Sequence, residues 1–349
     1  MRIYSVRARE LSPEHQRIWS EVQESESAFE SPFFRPEFTM LAASVWDRVW
    51  VGVIEEQGTP VGFFPFERYL FGMGRPVAPM VSDYQGVVVR SSVEWSAEEL
   101  LRGCRLSDME FNHLVASQRQ LKPYHSSLGT SPAIDLSDGY ETYERGRRQA
   151  GSALQRLDRQ CRQFEREVGP VRFEMDARDP VLLEWVVQQK SKQCAEKGYT
   201  DALTVPGIRR FVDAVHAVHT PGFAGMLSVL FVGDRIAAAH MGMRSKSVWH
   251  YWFPVYEESL GKYSPGLLLL LRMAQAAPEM GIRKIDLGKG DSDYKQRLSN
   301  SGFELADAHV EVRSIGSALV RDVGRGRDRL RRASWSGPIR RLYRRIVYR

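Results

Sequence analysis

Between Met226 and Leu270 the sequence reads MLSVLFVGDRIAAAHMGMRSKSVWHYWFPVYEESLGKYSPGLLLL, and this segment has the clearest pattern in the chain. It contains three apolar runs separated by two short polar turns: MLSVLFV at 226–232, RIAAAHMGM at 235–243 and VWHYWFPV at 248–255. Short apolar runs between turn residues are typical of strands. The segment therefore predicts three consecutive strands joined by turns.

The irregular loop EESLGKYSPG at 257–266 leads from the third strand into a helix predicted over Pro265–Met280. Ser264 before a proline is a favourable helix start, and Gly266 leaves the free amide groups beyond it open to approach. Exposed amides and the helix dipole attract phosphate at such an end. The same residues also suit a helix that is merely well capped, so this motif alone leaves both interpretations open.

Outward from this segment, strands and helices alternate. On the C-terminal side the pattern predicts a strand over Lys284–Leu287, a helical turn over Tyr294–Leu298 and a strand over Phe303–Val312. On the N-terminal side it predicts one long helix over Tyr140–Val168, a strand over Val171–Met175 and helices over Pro180–Glu196 and Pro206–His219. The first 139 residues predict a helix over Pro36–Val45, a hairpin of Val49–Glu55 with Val61–Tyr69, an extended stretch at 76–90, a helix over Glu94–Cys104 and strands over Met109–Val115 and Ala133–Leu136. The fold class is α/β (α+β).

The composition is that of a soluble globular protein. The 349 residues are 43% hydrophobic and 11% aromatic, which excludes a disordered chain and gives enough length for two domains. The sequence contains neither an apolar run of membrane-spanning length nor an N-terminal signal peptide. Its three cysteines are odd in number and form no CxxC, which argues against disulfides and a thiolate metal site. A reducing cytoplasm is expected.

The formal net charge of +6 is unevenly distributed. Residues 318–349 hold eleven arginines and two aspartates, a charge of +9, so the remaining 317 residues sum to −3. Within this tail Ile339, Leu342 and Ile346 are spaced for one face of a helix whose other side is rich in arginine. The pattern predicts an interfacial helix for an anionic membrane surface; a packed helix, a protein-docking arm or non-specific nucleic-acid contact are the alternatives.

The element order around the three strands resembles the acyl-CoA site of the GNAT superfamily of N-acyltransferases. More closely, residues 30–310 resemble the CelD/BcsL family, whose members have a FemAB-like pair of GNAT folds and are associated with polysaccharide and envelope biosynthesis. The residues that carry the resemblance are SPFFRPEF at 31–38, GTPVGFFPF at 58–66, SDYQGVVV at 82–89, QKSKQ at 189–193, GDRIAAAHMG at 233–242, YSPGLLLL at 263–270 and DLGKGDSDYKQRLSN at 286–300.

The resemblance implies two GNAT-like mixed-sheet domains in tandem with a basic helical tail. The expected boundaries are 1–139 for the N-terminal domain, 140–317 for the acyl-CoA-binding domain with its long linking helix 140–168, and 318–349 for the Arg-rich amphipathic tail.

The resemblance also implies a donor site for acetyl-CoA or a longer acyl-CoA. The pantetheine arm would lie along Val248 to Pro254 and the pyrophosphate over Ser264 to Leu268. An edge strand can hydrogen-bond an amide-rich arm, and aromatic side chains can exclude water, although core packing would explain the aromatics equally well. The expected donor-binding residues are Tyr251, Trp252, Ser264, Pro265, Gly266, Leu267 and Leu268.

Three residues are candidates for the chemistry of acyl transfer, which needs an amine nucleophile and an acid for the departing thiolate. Tyr294 occupies the place of the tyrosine acid in GNAT folds, and its neighbour Lys295 could hold a phosphate, an oxyanion or a carboxylate. Asp286, beside two glycines at a strand end, is a candidate amine anchor or water-linked base. Surface positions for the first two and a loop-ordering role for the third are the alternatives.

The acceptor would be bound by residues from both halves. The expected substrate residues are Asp83, Tyr84, Gln189, Lys190, His240 and Asp291. His240 and His250 lie on adjacent predicted strands, where a structural role is the common one and a general base the exception. His216 and His219 have no third ligand nearby, so no metal is expected.

Together these patterns predict an acyl-CoA-dependent N-acyltransferase acting on an amino group of a sugar, lipid or amino-acid precursor. An acyl carrier protein could replace CoA as donor carrier. The protein would be cytoplasmic and peripheral on the inner membrane face, without a nucleic-acid partner. The alternatives are a FemAB-type aminoacyltransferase using aminoacyl-tRNA, and a non-catalytic accessory protein of a polymer synthase.

Overall fold

The computed structural model describes residues 1–312, and the tail at 318–349 with its predicted amphipathic helix lies outside them. The α-helices of the described part are α1 (Pro13–Ser25), α2 (Pro36–Val45), α3 (Ala97–Gly103), α4 (Tyr140–Ala150), α5 (Ala153–Glu167), α6 (Pro180–Glu196), α7 (Pro206–Ala217), α8 (Pro265–Ala276) and α9 (Asp293–Leu298). None of these helices is both long and apolar enough to cross a membrane.

The strands of the described part all belong to one mixed sheet. They are β1 (Arg2–Arg7), β2 (Val49–Glu56), β3 (Thr59–Arg68), β4 (Met73–Arg75), β5 (Val88–Val89), β6 (Asp108–Val115), β7 (His125–Asp135), β8 (Val171–Glu174), β9 (Ala224–Val232), β10 (Arg235–Arg244), β11 (Val248–Tyr256), β12 (Lys284–Asp286) and β13 (Ser301–Glu311). The predicted mixed α/β class is confirmed.

Local pattern predicts many of these elements well. The bounds of α2 and α6 agree with the sequence-based prediction, and the three consecutive strands are β9, β10 and β11. The single helix predicted over Tyr140–Val168 is wrong, because α4 and α5 are separated at Gly151, whose backbone is extended. The helix continues again only where the buried apolar residues Leu154 and Leu157 begin. The elements β1, α1 and β4 were not predicted.

The sheet contains two copies of the same strand arrangement. In the first, β1, β2, β3 and β4 are successive antiparallel neighbours and β4 pairs in parallel with β6. In the second, β8, β9, β10 and β11 are antiparallel neighbours and β11 pairs in parallel with β12. The chain thus repeats one half-sheet, as a tandem fold requires.

Two long strands join the half-sheets. The order across the middle of the sheet is β6, β13, β7, β12. Strand β7, which precedes residue 139, therefore pairs with β12 of the second half, and β13 pairs with β6 of the first. Each half gives a strand to the other, so the sheet is continuous across the predicted domain boundary.

The second half-sheet is covered on both faces. Trp249 and Tyr251 of β11 belong to the apolar core that contains α5 and α8. Trp252 and Phe253 belong to the other core, which contains α2, α6 and α7. Strand β11 therefore separates two differently lined sides of the protein.

Candidate active site

Strands β11 and β12 pair over only three positions and then separate. Their last partners are His250 and Asp286. Beyond this pair β11 continues to Tyr256, whereas the chain after β12 turns away at Gly288, whose φ of 77° favours glycine. Within residues 1–312, the edge of β11 beyond His250 therefore has no strand partner. We call the point where the two strands separate, next to these two ionisable side chains, the apex.

Asp286 lies fully buried at this apex and receives hydrogen bonds from three elements. Its Oδ1 accepts from the Ser131 hydroxyl of β7 and from the Gly288 amide, each at 2.7 Å. Its Oδ2 accepts from the Tyr84 hydroxyl, which comes from the segment between β4 and β5. Burial alone would raise the pKa of Asp286, but His250 and these donors hold it below its ordinary value. The group is a fixed, buried carboxylate.

His250 lies between two carboxylates. Its Nε2 is 2.8 Å from Oδ2 of Asp83, and its Nδ1 is 3.5 Å from Oδ1 of Asp286. Burial alone would lower the pKa of His250, but the two acidic neighbours raise it to about 9. At neutral pH the imidazole is therefore a buried cation that holds both carboxylates in place.

Asp83 is the solvent-facing end of this chain of groups. Its side chain is 29% exposed, whereas those of His250 and Asp286 are fully buried. Asp83 comes from the first half of the chain and His250 from the second, so the two halves meet at this contact. A Cβ added to Gly288 would lie 3.6 Å from Asp83 Oδ2, which shows how close the loop after β12 comes to that carboxylate.

Lys295 closes the loop next to the apex. Its Nζ donates to the carbonyl oxygens of Gly288 at 2.8 Å and Lys289 at 3.1 Å. Burial lowers the pKa of the Lys295 ammonium. With two of its three protons donated to the backbone, Lys295 orders the loop that carries Gly288.

A cavity of about 420 Å³ lies on the α8 side of the sheet. It is enclosed by α5, the start of α8, α9 and the link between α4 and α5. Three arginines and four other polar side chains line it: Arg147, Arg156, Arg297, Ser152, Gln160, Ser264 and Tyr294. Arginine is the side chain best suited to phosphate, so this cavity fits a polyanionic ligand.

The predicted helix start is present but is capped differently from the expectation. Ser264 has left-handed backbone angles (φ 55°, ψ 48°), and its side chain does not cap α8. Its Oγ instead accepts a hydrogen bond from Gln160 Nε2 at 3.0 Å, which ties α5 to the mouth of the cavity. A Cβ added to Gly266 would meet only the Tyr256 ring, at 3.6 Å, so this position is open to approach.

Tyr294 faces this cavity from α9. Burial raises the pKa of its phenol to about 12, so the hydroxyl is a neutral donor at physiological pH. Tyr251 is fully buried nearby, and its hydroxyl lies 3.4 Å from the Gly266 carbonyl oxygen. These two predicted residues therefore lie together on the α8 side of the sheet, next to Leu267.

Other predicted site residues lie elsewhere. Trp252 faces the opposite core and donates its indole N–H to the Val81 carbonyl. His240 is fully buried, accepts the Trp252 amide on Nε2 at 3.1 Å, and its pKa is lowered to about 3 by burial, so it is neutral. Asp291 is exposed on the loop after β12.

The sequence pointed to Asp83, Tyr84 and Asp286, but two residues of the apex were overlooked. His250 was considered only together with His240, and Ser131 not at all. The arginines of the cavity were not among the predicted site residues. No local signal marks Ser131, whereas His250 stands out as the ionisable residue in an otherwise apolar strand.

Metal binding has no support in this part of the chain. Within residues 1–312 no three His, Cys, Asp or Glu side chains are grouped to hold an ion.

Comparison with known proteins identifies the second half. Residues 151–296 match a family model described as an acetyltransferase (GNAT) domain. This range begins at the link before α5 and ends in α9, so it contains both the cavity and the pair His250 and Asp286. No match was found among curated protein sequences.

Two solved structures share the fold over most of the chain. FemX superposes with a TM-score of 0.59 at 9% identity, covering 88% of this chain and 97% of its own. The C-terminal domain of a candidate lysylphosphatidylglycerol synthetase from Agrobacterium fabrum superposes with a TM-score of 0.55 at 12% identity, covering 89% and 96%. The predicted GNAT-like fold is confirmed. The match over residues 151–296 and the shared fold support a GNAT-type N-acyltransferase.

Proposed function

We propose that the protein transfers an acyl group from acyl-CoA to an amine at the apex between β11 and β12. The observation that supports this most directly is the position of the pair His250 and Asp286. It lies where the strands separate, with the arginine-lined cavity on one side of the sheet and Asp83 on the other. A donor and an acceptor entering from opposite sides would meet there.

The cavity supports the donor half of the proposal. Arg147, Arg156 and Arg297 would bind the phosphates, and the unpaired edge of β11 would hydrogen-bond the pantetheine arm. A cavity lined by residues of the first half, Val77 and Tyr84 among them, has a volume of only about 10 Å³, which is too small for CoA. One donor site per chain is therefore expected.

The position of Asp83 supports the part of the proposal that concerns the acceptor. An ammonium would bind the exposed Asp83 carboxylate and lose one proton to solvent through it. The free amine then attacks the thioester carbonyl carbon; a C–N bond forms and the C–S bond breaks. The second amine proton reaches the thiolate sulfur through the Tyr294 hydroxyl, which donates its own proton to the sulfur and takes up the proton of the amine, so that the products are the amide, the thiol and one proton released to solvent. His250 and Asp286 keep Asp83 in position throughout.

The resemblance to the CelD/BcsL family suggests the acceptor class. We propose an amino group of a sugar, lipid or amino-acid precursor in polysaccharide or envelope biosynthesis, with acetyl-CoA or a longer acyl-CoA as donor. An acyl carrier protein as donor carrier, and a cytoplasmic enzyme attached to the inner membrane face through 318–349, belong to the same proposal.

Aminoacyl transfer from tRNA is the second candidate. Helix α5 exposes Arg156, Arg159, Arg162 and Arg166 beside the cavity, and such a row of arginines would suit an RNA backbone as well as a nucleotide phosphate.

The test is thiol release from acetyl-CoA in the presence of a panel of amines. Asp83→Asn should lower kcat at least about 100-fold, because it removes the proton-accepting carboxylate, and leave acetyl-CoA affinity unchanged. Asp234→Asn, in the exposed turn between β9 and β10, is the control and should behave as the parent. Full activity of Asp83→Asn would refute the proposed site. Transfer from aminoacyl-tRNA, with none from acetyl-CoA, would establish the second candidate.

A further inference from the structure

Helix α6 places a lysine where its pattern calls for an apolar residue. Leu183 and Val186 are buried against β11 and β10, in the core that contains Trp252. Lys190 follows them on the same stripe, at the i, i+3, i+7 spacing that marks one helix face. The buried face of α6 therefore ends in an ammonium group.

This ammonium has no partner. Among residues 1–312 Lys190 makes neither a hydrogen bond nor an ion pair, although its side chain is only partly exposed. Burial lowers its pKa. Cations that lose part of their hydration in a folded protein are normally paired, and Lys190 is an exception.

Lys190 lies on the same side of the sheet as Asp83, where the acceptor is proposed to bind. The carboxylates that act on it electrostatically are Asp201 and Asp83. Asp201 is occupied in accepting the Leu203 amide, whereas Asp83 is the exposed end of the apex. The acceptor side thus presents one carboxylate that contacts His250 and one ammonium that makes no hydrogen bond or ion pair within residues 1–312.

We propose that the acceptor carries an anionic group, a carboxylate or a phosphate, in addition to its amine, and that Lys190 binds this group while Asp83 binds the amine. The inference rests on the proposed function, because it assumes that the amine is acylated at the apex. It narrows the acceptor to amino acids, amino-sugar phosphates and related zwitterions.

Matched amine pairs test the inference with acetyl-CoA as donor. The pairs are lysine with cadaverine, which differ by a carboxylate, and glucosamine 6-phosphate with glucosamine, which differ by a phosphate. Lys190→Met should raise KM at least about tenfold for the member of the preferred pair that carries the anionic group, with kcat within about twofold, and should leave KM for the member without that group unchanged. Lys190→Arg should keep part of the discrimination. The pair in which KM rises shows whether Lys190 binds a carboxylate or a phosphate.

Lys192 provides the control. It lies on the same helix, is exposed, and already pairs with Glu258 at 3.1 Å. Lys192→Met should therefore leave KM unchanged for both amines of each pair. Equal effects of Lys190→Met on amines with and without the anionic group, or no preference of the parent enzyme for the member that carries it, would overturn the inference while leaving acyl transfer at the apex intact.

A second measurement does not depend on turnover. Lysines of the folded protein can be dimethylated with a ¹³C label, which keeps their charge, and the Lys190 signal assigned from its absence in Lys190→Arg. Titration with orthophosphate and with acetate should move the Lys190 signal saturably and the Lys192 signal little. If no amine is acylated, the proposed function fails but this titration still decides the inference. An unmoved Lys190 signal would overturn it.

Discussion

His250 and Asp286 are register partners across the parallel strands β11 and β12, and they form the last pair before these strands separate. Two consecutive residues of the first half secure this pair. Asp83 contacts the His250 ring and Tyr84 donates its hydroxyl to Asp286. The apex therefore exists only when the two halves of the chain are assembled. Substitutions at Asp83 or Tyr84, in the first half, should affect the chemistry of residues in the second half.

Tyr84→Phe should destabilise the protein. The substitution removes one donor from a fully buried carboxylate, so the free energy of unfolding should fall by roughly 1–3 kcal/mol, measured by urea denaturation. Tyr4→Phe is a matched control, since Tyr4 also donates to a carboxylate, that of Glu55, but at a part-buried site. The control should lose less than about 1 kcal/mol. Equal losses would show that the Tyr84 bond has no special role.

Gly266→Asp should weaken CoA binding at least about tenfold, because it places a negative charge at the mouth of the arginine-lined cavity. Gly266→Ala isolates the steric contribution. Its methyl group would meet the Tyr256 ring at an ordinary contact distance of 3.6 Å, so its affinity should stay within about twofold of the parent. Calorimetry of the two folded variants decides the matter: if both bind CoA as the parent does, the phosphates lie elsewhere.

Tyr294→Phe should lower kcat and kcat/KM together and leave donor affinity unchanged, because its hydroxyl is needed when the thiolate leaves. The half-buried phenol, with its pKa of about 12, stays protonated over the working pH range and so has a proton to donate. Tyr199→Phe, at an exposed position after α6, is the control. A kcat within about twofold of the parent, with chemistry rate-limiting, would make Tyr294 a packing residue.

Local sequence pattern was sufficient where an element is fixed by its own residues. The apolar runs of β9, β10 and β11 and the proline at the start of α6 determine structure within a few positions, and both were predicted. The break between α4 and α5 was missed because Gly151 lies in a run that otherwise favours helix. A single glycine lowers helix propensity by only about 1 kcal/mol, too little to predict a break.

The apex could not be predicted, because it depends on register and on contacts between distant parts of the chain. Nothing within β12 indicates that its pairing with β11 ends at Asp286, and 167 positions separate Asp83 from His250. The pairing of β7 with the second half and of β13 with the first could not be predicted either, because periodicity identifies a strand but not its neighbours. Asp83, Tyr84 and Asp286 were selected individually, whereas the geometry that joins them required the fold.

The stability of the protein should fall as the pH rises from about 6.5 to above 9. His250 has an ordinary pKa near 6.5 in the unfolded chain and about 9 in the folded one. A raised pKa means that the folded state holds the proton more tightly, so its stabilisation is complete below pH 6.5 and is lost as the pH passes through about 9. The expected loss is on the order of 1–3 kcal/mol, measured by urea unfolding at pH 6.5 and 9.5.

The variant His250→Asn should be less stable than the parent at pH 6.5, because it leaves Asp83 and Asp286 without their cation. Its free energy of unfolding should also change less between pH 6.5 and 9.5 than that of the parent. His125→Asn is the control. Burial lowers the pKa of His125, so this residue affects the pH dependence of stability only at pH values below about 6.5. The variant should therefore lose stability between pH 6.5 and 9.5 as the parent does. If His250→Asn does not fold, the NMR titration of the His250 ring in the parent protein gives the same answer. A midpoint near 6.5, or an unchanged slope in a folded His250→Asn, would mean that the two carboxylates do not hold a charged imidazole at the apex.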